Sequence, residues 1–114
     1  MSEISDCMVV LTTVENTQDA EKLASLLVDA HLAACVQILP RIKSIYRWQS
    51  TVQQSDEFLI IIKTTSPTFP LLESFIKQYH PYQTPEIIAL PIIAGSIDYL
   101  EWLAGAVKPN LHNN

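Results

Sequence analysis

Three apolar runs restrict what this chain can become. Met8-Val9-Val10-Leu11, Phe58-Leu59-Ile60-Ile61-Ile62 and the stretch over residues 87–94 carry no alternating polar side chain. Each therefore reads as a strand buried on both faces, because a half-solvated strand would alternate. None approaches the roughly 18 residues of a membrane helix. A sheet made of such strands needs cover on both sides, and the intervening segments decide how much of it the chain itself supplies.

After the first run, Val14-Glu15-Asn16-Thr17 offers a helix start with Asn16 or Thr17 as N-cap, and Asp19 and Glu21 complement the positive helix end. Ala20, Leu23, Ala24 and Leu27 recur on one helical face, predicting a helix to about residue 30, with His31 as a C-terminal capping or surface residue. Extended chain follows from Leu32. Pro40 interrupts it, which argues for an edge strand or a bulge. Beyond Pro40, Ile42, Ser44, Tyr46 and Trp48 alternate with Arg41, Lys43, Ile45 and Arg47, placing the basic residues on one face. Gln49-Ser50-Thr51 lacks the Gly, Asn or Asp of tight hairpins, so a longer or irregular reversal is expected.

The second apolar run ends near Thr65. Ser66-Pro67 reads as a helix opening with Ser66 as N-cap, Pro70 falls in the first turn, and Leu72, Phe75, Ile76 and Tyr79 mark the inward face. Residues 87–94 are the last strand, interrupted only by Pro91. Residues 97–107 are a short helix with Tyr99, Leu100, Leu103 and Val107 inward. The order is strand, helix, strand, strand, helix, strand, helix, which is an α+β, ferredoxin-like split βαβ plan with an antiparallel sheet and an added C-terminal helix. Its two main helices cover one sheet face. Each Ile, Leu or Val left open on the other forgoes about 1.5–3 kcal/mol of burial, so self-association through that face is expected.

Composition agrees with that expectation. With 114 residues the chain forms a single domain over 1–114, with residues 1–6 and 108–114 expected to be flexible and His112 therefore a poor ligand. Charged residues make up 17% and apolar residues 48%, a low charge density for an isolated, well-solvated chain. The net charge of −5, with seven Lys and Arg scattered along the sequence, gives no basic stripe, so no nucleic-acid partner is expected. Cys7 and Cys35 form no Cys-x-x-Cys pair and read as free, buried thiols. Neither a signal-peptide pattern nor a long apolar run is seen, so the expected location is the cytoplasm, with no membrane partner.

The densest chemistry lies in Tyr79-His80-Pro81-Tyr82-Gln83-Thr84-Pro85-Glu86, where two prolines stiffen a segment carrying an imidazole, phenols and a carboxylate. Together with Leu32-Ala33-Ala34-Cys35-Val36, Tyr46 and Trp48, Glu57, Lys63-Thr64-Thr65 and Tyr99-Leu100-x-Trp102, it resembles the CutA divalent-cation tolerance family over residues 8–107. The resemblance implies a ferredoxin-like protomer in a PII-like homotrimer and a role linked to copper or other divalent cations, with no organic cofactor. Copper-binding relatives resemble this chain with a cysteine near the end of strand one and a histidine pair before the proline. Here those positions hold Thr12 and Tyr79-His80. His80 is thus the residue the resemblance offers for metal, and one imidazole makes a weak copper site.

The family fold also implies a pocket at the subunit contacts, lined by Trp48, Glu57, Lys63, His80, Tyr82 and Glu86. It reads either as a site for a small polar or anionic ligand held by Lys63 and His80, or as an inter-subunit network of hydrogen bonds and ion pairs. Catalysis is not expected. The loop after strand one, Thr12-Thr13-Val14-Glu15-Asn16, lacks the Arg and Gly that an acylphosphatase-like phosphate cradle requires, and no nucleophile–base arrangement is evident. Two function classes follow: a metal-tolerance protein with weak copper binding, and a PII-like trimeric sensor or scaffold for a metabolite or partner protein.

Overall fold

In the computed structural model, which describes residues 3–108, the apolar runs become the strands of one sheet. The elements are β1 (Cys7–Val14), α1 (Thr17–Asp29), β2 (Cys35–Trp48), β3 (Thr51–Thr65), α2 (Phe69–Tyr79), β4 (Ile88–Pro91) and α3 (Ile97–Ala106). The sheet order is β2-β3-β1-β4 with every neighbouring pair antiparallel, as the ferredoxin-like plan requires. Ile4–Asp6 form a 3-10 turn ahead of β1. Residues 1–2 and 109–114, on which most of the expected flexibility and His112 fall, lie outside the described residues.

Local chemistry sets the helix ends. Asn16 is extended, and its side chain accepts the Asp19 amide at 2.8 Å, so it is the N-cap of α1. At the other end His31 takes φ 60°, with its N–H on the Val28 carbonyl and the Leu32 N–H on the Leu27 carbonyl. That is a Schellman motif, and His31 stops the helix through its backbone rather than its imidazole. The second helix begins later than its sequence suggests. Ser66–Thr68 form a separate 3-10 turn with extended Thr65 in the N-cap position, and Pro70 lies in the first turn of α2. Tight 3-10 geometry over Ser66 and Pro67 takes the place of the expected Ser66 N-cap.

Side chains of Ala20, Leu23 and Leu27 on α1 and of Leu72 and Ile76 on α2 meet Val10, Val14, Ile60 and Ile62 in one buried core. Because strand side chains alternate, Val9, Leu11, Leu59 and Ile61 point to the opposite face. They are joined there by Ile88 and Leu90 of β4 and by Leu39 of β2. α3 covers only the Cys7 end of this second face, where Leu100, Leu103, Ala104 and Val107 enclose Cys7 and the thiol reaches the Leu100 carbonyl at 3.7 Å. Most of the face stays open in one chain: Leu39 is 49% and Leu90 50% exposed.

Pro40 lies where the β2–β3 ladder skips a residue, in a bulge between Leu39 and Ile42 on an edge strand, with Arg41 at φ 60°. Past the bulge, residues 42–48 and 51–57 pair only with each other, a two-stranded ribbon projecting beyond β1. Arg41 and Lys43 reach Asp56 at 3.5 and 3.4 Å on its surface.

Several expectations are corrected. The reversal is tight, because Gln49 and Ser50 both adopt positive φ (51° and 70°) and close a two-residue hairpin between paired Trp48 and Thr51. The twist of the ribbon selects that turn despite unfavourable residues. The last strand is four residues long, not eight. It pairs with β1 only from Met8 to Leu11, Pro91 brings no N–H to its end, and Ile93 is 93% exposed. On α3, Tyr99 faces outward while Ala104 takes the inward position.

Candidate functional site: a cleft at the foot of the ribbon

His80 ends α2 in extended geometry, φ −78° and ψ 135°, the conformation that Pro81 imposes on the residue before it. The turn this creates folds the imidazole inward, leaving the residue 9% exposed against the end of β1. Nε2 lies 2.7 Å from the Thr13 carbonyl, and the Tyr82 N–H donates to Nδ1 at 3.1 Å. A carbonyl only accepts, so the ring proton is assigned to Nε2 and the lone pair on Nδ1 is engaged by Tyr82. Burial lowers the pKa of the imidazole, opposed by the Thr13 carbonyl and the charges of Asp19 and Glu57.

Tyr82 is thereby fixed, its ring edge-on to His80 with centroids 4.7 Å apart. Its hydroxyl donates to Glu57 Oε2 at 2.7 Å. Glu57 sits on β3 opposite Ile42 and is only 6% exposed. Burial first, then the hydrogen bond and charge of Glu57, push the Tyr82 phenol far above its ordinary range. It stays protonated and donating. The imidazole, the phenol and the carboxylate form one relay from the α2 terminus to the root of the ribbon.

Tyr82 and Glu57 of the relay line a cleft of about 610 Å³, together with Glu15, Tyr46, Trp48 and Glu86. Register explains the convergence. Ile42, Ser44, Tyr46 and Trp48 lie across from Glu57, Ser55, Gln53 and Thr51, so after the bulge they share the Glu57 face of the sheet. Glu15 arrives from the end of β1, and Glu86 from the proline-stiffened segment before β4. No Lys, Arg or His is among the described lining residues.

The structure therefore brings together Trp48, Glu57, Tyr82 and Glu86 of the six expected pocket residues, with His80 behind them. It does not bring Lys63. That ammonium lies farther along β3, 2.9 Å from Gln37 Oε1 and 3.5 Å from the Tyr99 hydroxyl, and 5.7 Å from the Tyr99 ring centroid. Within one chain Lys63 and His80 therefore do not converge on this cleft: Lys63 lies elsewhere on the sheet, and both His80 nitrogens are engaged. Glu15 and Tyr46 were missed as lining residues. The acid in the loop after β1 was the available signal for Glu15, and Tyr46 shares its strand face with Trp48.

Metal donors do not converge. Among the described residues no group of three or more His, Cys, Asp or Glu side chains could hold a metal ion. His80 offers no free nitrogen lone pair in this arrangement. Thr12 lies on the helix-facing side of β1, fully buried, its hydroxyl without a hydrogen-bond partner among the described residues. The donor set does not fit a preformed metal centre within one chain. Cys7 and Cys35 are free thiols; Cys7 is buried, which together with nearby Asp6 raises its pKa, while Cys35 is only partly buried. No helix among the described residues is long and apolar enough to cross a membrane.

Comparison with known proteins gives one consistent family. A family model described as CutA1 divalent ion tolerance protein matches residues 8–106. The divalent-cation tolerance protein CutA of Thermus thermophilus is 50% identical over 95 residues, 83% of this chain and 92% of that one. Its namesake in Pectobacterium atrosepticum is 37% identical over 105 residues, 92% and 96% of the two chains. The crystal structure of CutA1 from Oryza sativa aligns with a TM-score of 0.89 at 40% identity, covering 93% of this chain and 98% of that one. The match spans every strand and helix that builds the cleft, and the chain belongs to the CutA1 divalent ion tolerance protein family.

Proposed function

We propose that this chain is a non-catalytic homotrimeric binding protein that contributes to divalent-cation tolerance, and that its ligand-responsive element is the cleft walled by Tyr82 and Glu57 and braced from behind by His80. The carrying observation is that both nitrogens of His80 are engaged, Nε2 on the Thr13 carbonyl and Nδ1 accepting the Tyr82 N–H, while the Tyr82 hydroxyl in turn holds Glu57 in the cleft wall. Such spending of a buried imidazole positions a site. The link to divalent cations comes from the family, and assembly is supported by the open apolar face of the sheet. Two free thiols, one of them partly exposed, suit a reducing compartment, and the cytoplasmic location belongs to the same proposal.

Copper at His80 would require the ring to surrender the Tyr82 amide, so binding there is weak and competes with the relay. Calorimetric titration with Cu²⁺ at neutral pH, on the native chain and on His80→Ala, tests the assignment. No tight site is expected in either chain, with His80→Ala removing at most a weak component. A tight site that vanishes in His80→Ala would overturn the positioning role and restore a metal centre.

A further inference from the structure

The lining of the cleft selects a class of ligand, on the reading that the cleft is the ligand site. A volume of about 610 Å³ lies in the range of small-molecule pockets, roughly 300–1,000 Å³. It is lined by three aromatic residues, Tyr46, Trp48 and Tyr82, and by three acids, Glu15, Glu57 and Glu86. None of these carboxylates has an ion-pair partner among the described residues. Within one chain, an anion would meet these carboxylates with no described cation in the lining. A bare divalent ion would need several oxygen or nitrogen donors in fixed geometry, and no such group is gathered among the described residues. An ammonium head asks for less: an aromatic face within about 6 Å and a carboxylate to balance its charge, with no coordination sphere.

We propose that the aromatic and carboxylate-lined cleft between the ribbon and residues 82–86 binds a small organic cation of the alkylammonium or quaternary ammonium class. Trp48 and Tyr46 supply ring faces from β2, and Glu57, steadied by the Tyr82 hydroxyl, supplies the buried counter-charge. Glu15 and Glu86 add negative potential that draws a cation in. The ligand body occupies the remaining volume beside Thr84 and Gln83.

Choline and its uncharged carbon isostere 3,3-dimethyl-1-butanol provide the test, because they share a shape and differ in charge. Binding to the full chain in its native assembly is followed by calorimetry. It is also followed by Trp48 fluorescence in a Trp102→Phe background, which leaves Trp48 as the sole indole. Choline should saturate the signal and bind at least about tenfold more tightly than the alcohol. Glu57→Gln, which keeps an acceptor for the Tyr82 hydroxyl, should weaken choline by about tenfold and leave the alcohol unchanged. Equal binding of the two probes, or choline binding indifferent to Glu57→Gln, overturns the proposal. A Trp48 response to Zn²⁺ or inorganic phosphate with none to choline overturns the ammonium class while leaving the cleft as a ligand site. Silence to all four probes overturns both.

Discussion

His80 shows how a single residue can be legible as important and illegible in role. Its place before Pro81 fixes its backbone, and that much is local. Its partner is the carbonyl of Thr13, 67 residues away, and no spacing rule reaches that far. The consequence is a defined pH dependence. The folded chain holds the imidazole neutral with a lowered pKa, whereas the unfolded chain takes up its proton near the ordinary value of 6.5. Stability from this group is thus complete above about pH 6.5 and is lost as the pH falls from there through the folded value, because only the unfolded state binds the proton in that window. Urea midpoints measured from about pH 8 down to pH 5 should fall more steeply for the native chain than for His80→Gln. Parallel curves would contradict the neutral, occupied ring. Tyr82→Phe isolates the next link. It removes the one side-chain hydrogen bond to the buried Glu57 carboxylate among the described residues and should cost about 1–3 kcal/mol in urea unfolding. No measurable loss would mean that Glu57 is solvated.

At the scale of elements, sequence pattern identified the four strands and three α-helices of the described residues, and the errors fall at ends and turns. Pro40 announced an edge strand with a bulge because proline lacks the donor a central ladder needs, and both features are present. The hairpin turn was misread for the converse reason. Gln49 and Ser50 carry no turn signal, yet the paired strands force both into left-handed geometry. Side chains there are strained by about 1–2 kcal/mol per residue, a cost glycine does not carry. Replacing Gln49-Ser50 by Asn-Gly should therefore raise the denaturation midpoint, by about 1 kcal/mol in stability. A lowered midpoint would show that these side chains make contacts in the assembly that outweigh the strain. The shortness of β4 was hidden because an apolar run signals burial without saying what buries it. Ile92 still gives its N–H to Cys7, and Ile93, beyond it, faces outward.

For the whole molecule, the decisive feature is a sheet with one face closed by α1 and α2 and the other closed only at the Cys7 end by α3. Three doubly apolar runs in a chain with too few helices made that legible from sequence. The cleft was half legible: the Tyr79–Glu86 segment, Trp48 and Glu57 stood out, while the bulge that turns Tyr46 and Trp48 toward Glu57 is a property of register. An open apolar face also makes assembly sensitive to charge. Leu39→Lys, at a position half-exposed in one chain, would be tolerated by a monomer but would bury a charge between subunits, so it should yield a smaller species in solution. The direct test of the account is the mass of the native chain by size-exclusion chromatography with light scattering at micromolar concentration. Three copies of the 12.8 kDa chain predict about 38 kDa. A stable, soluble species at 12.8 kDa would contradict it, because the second face of the sheet would then be exposed to water.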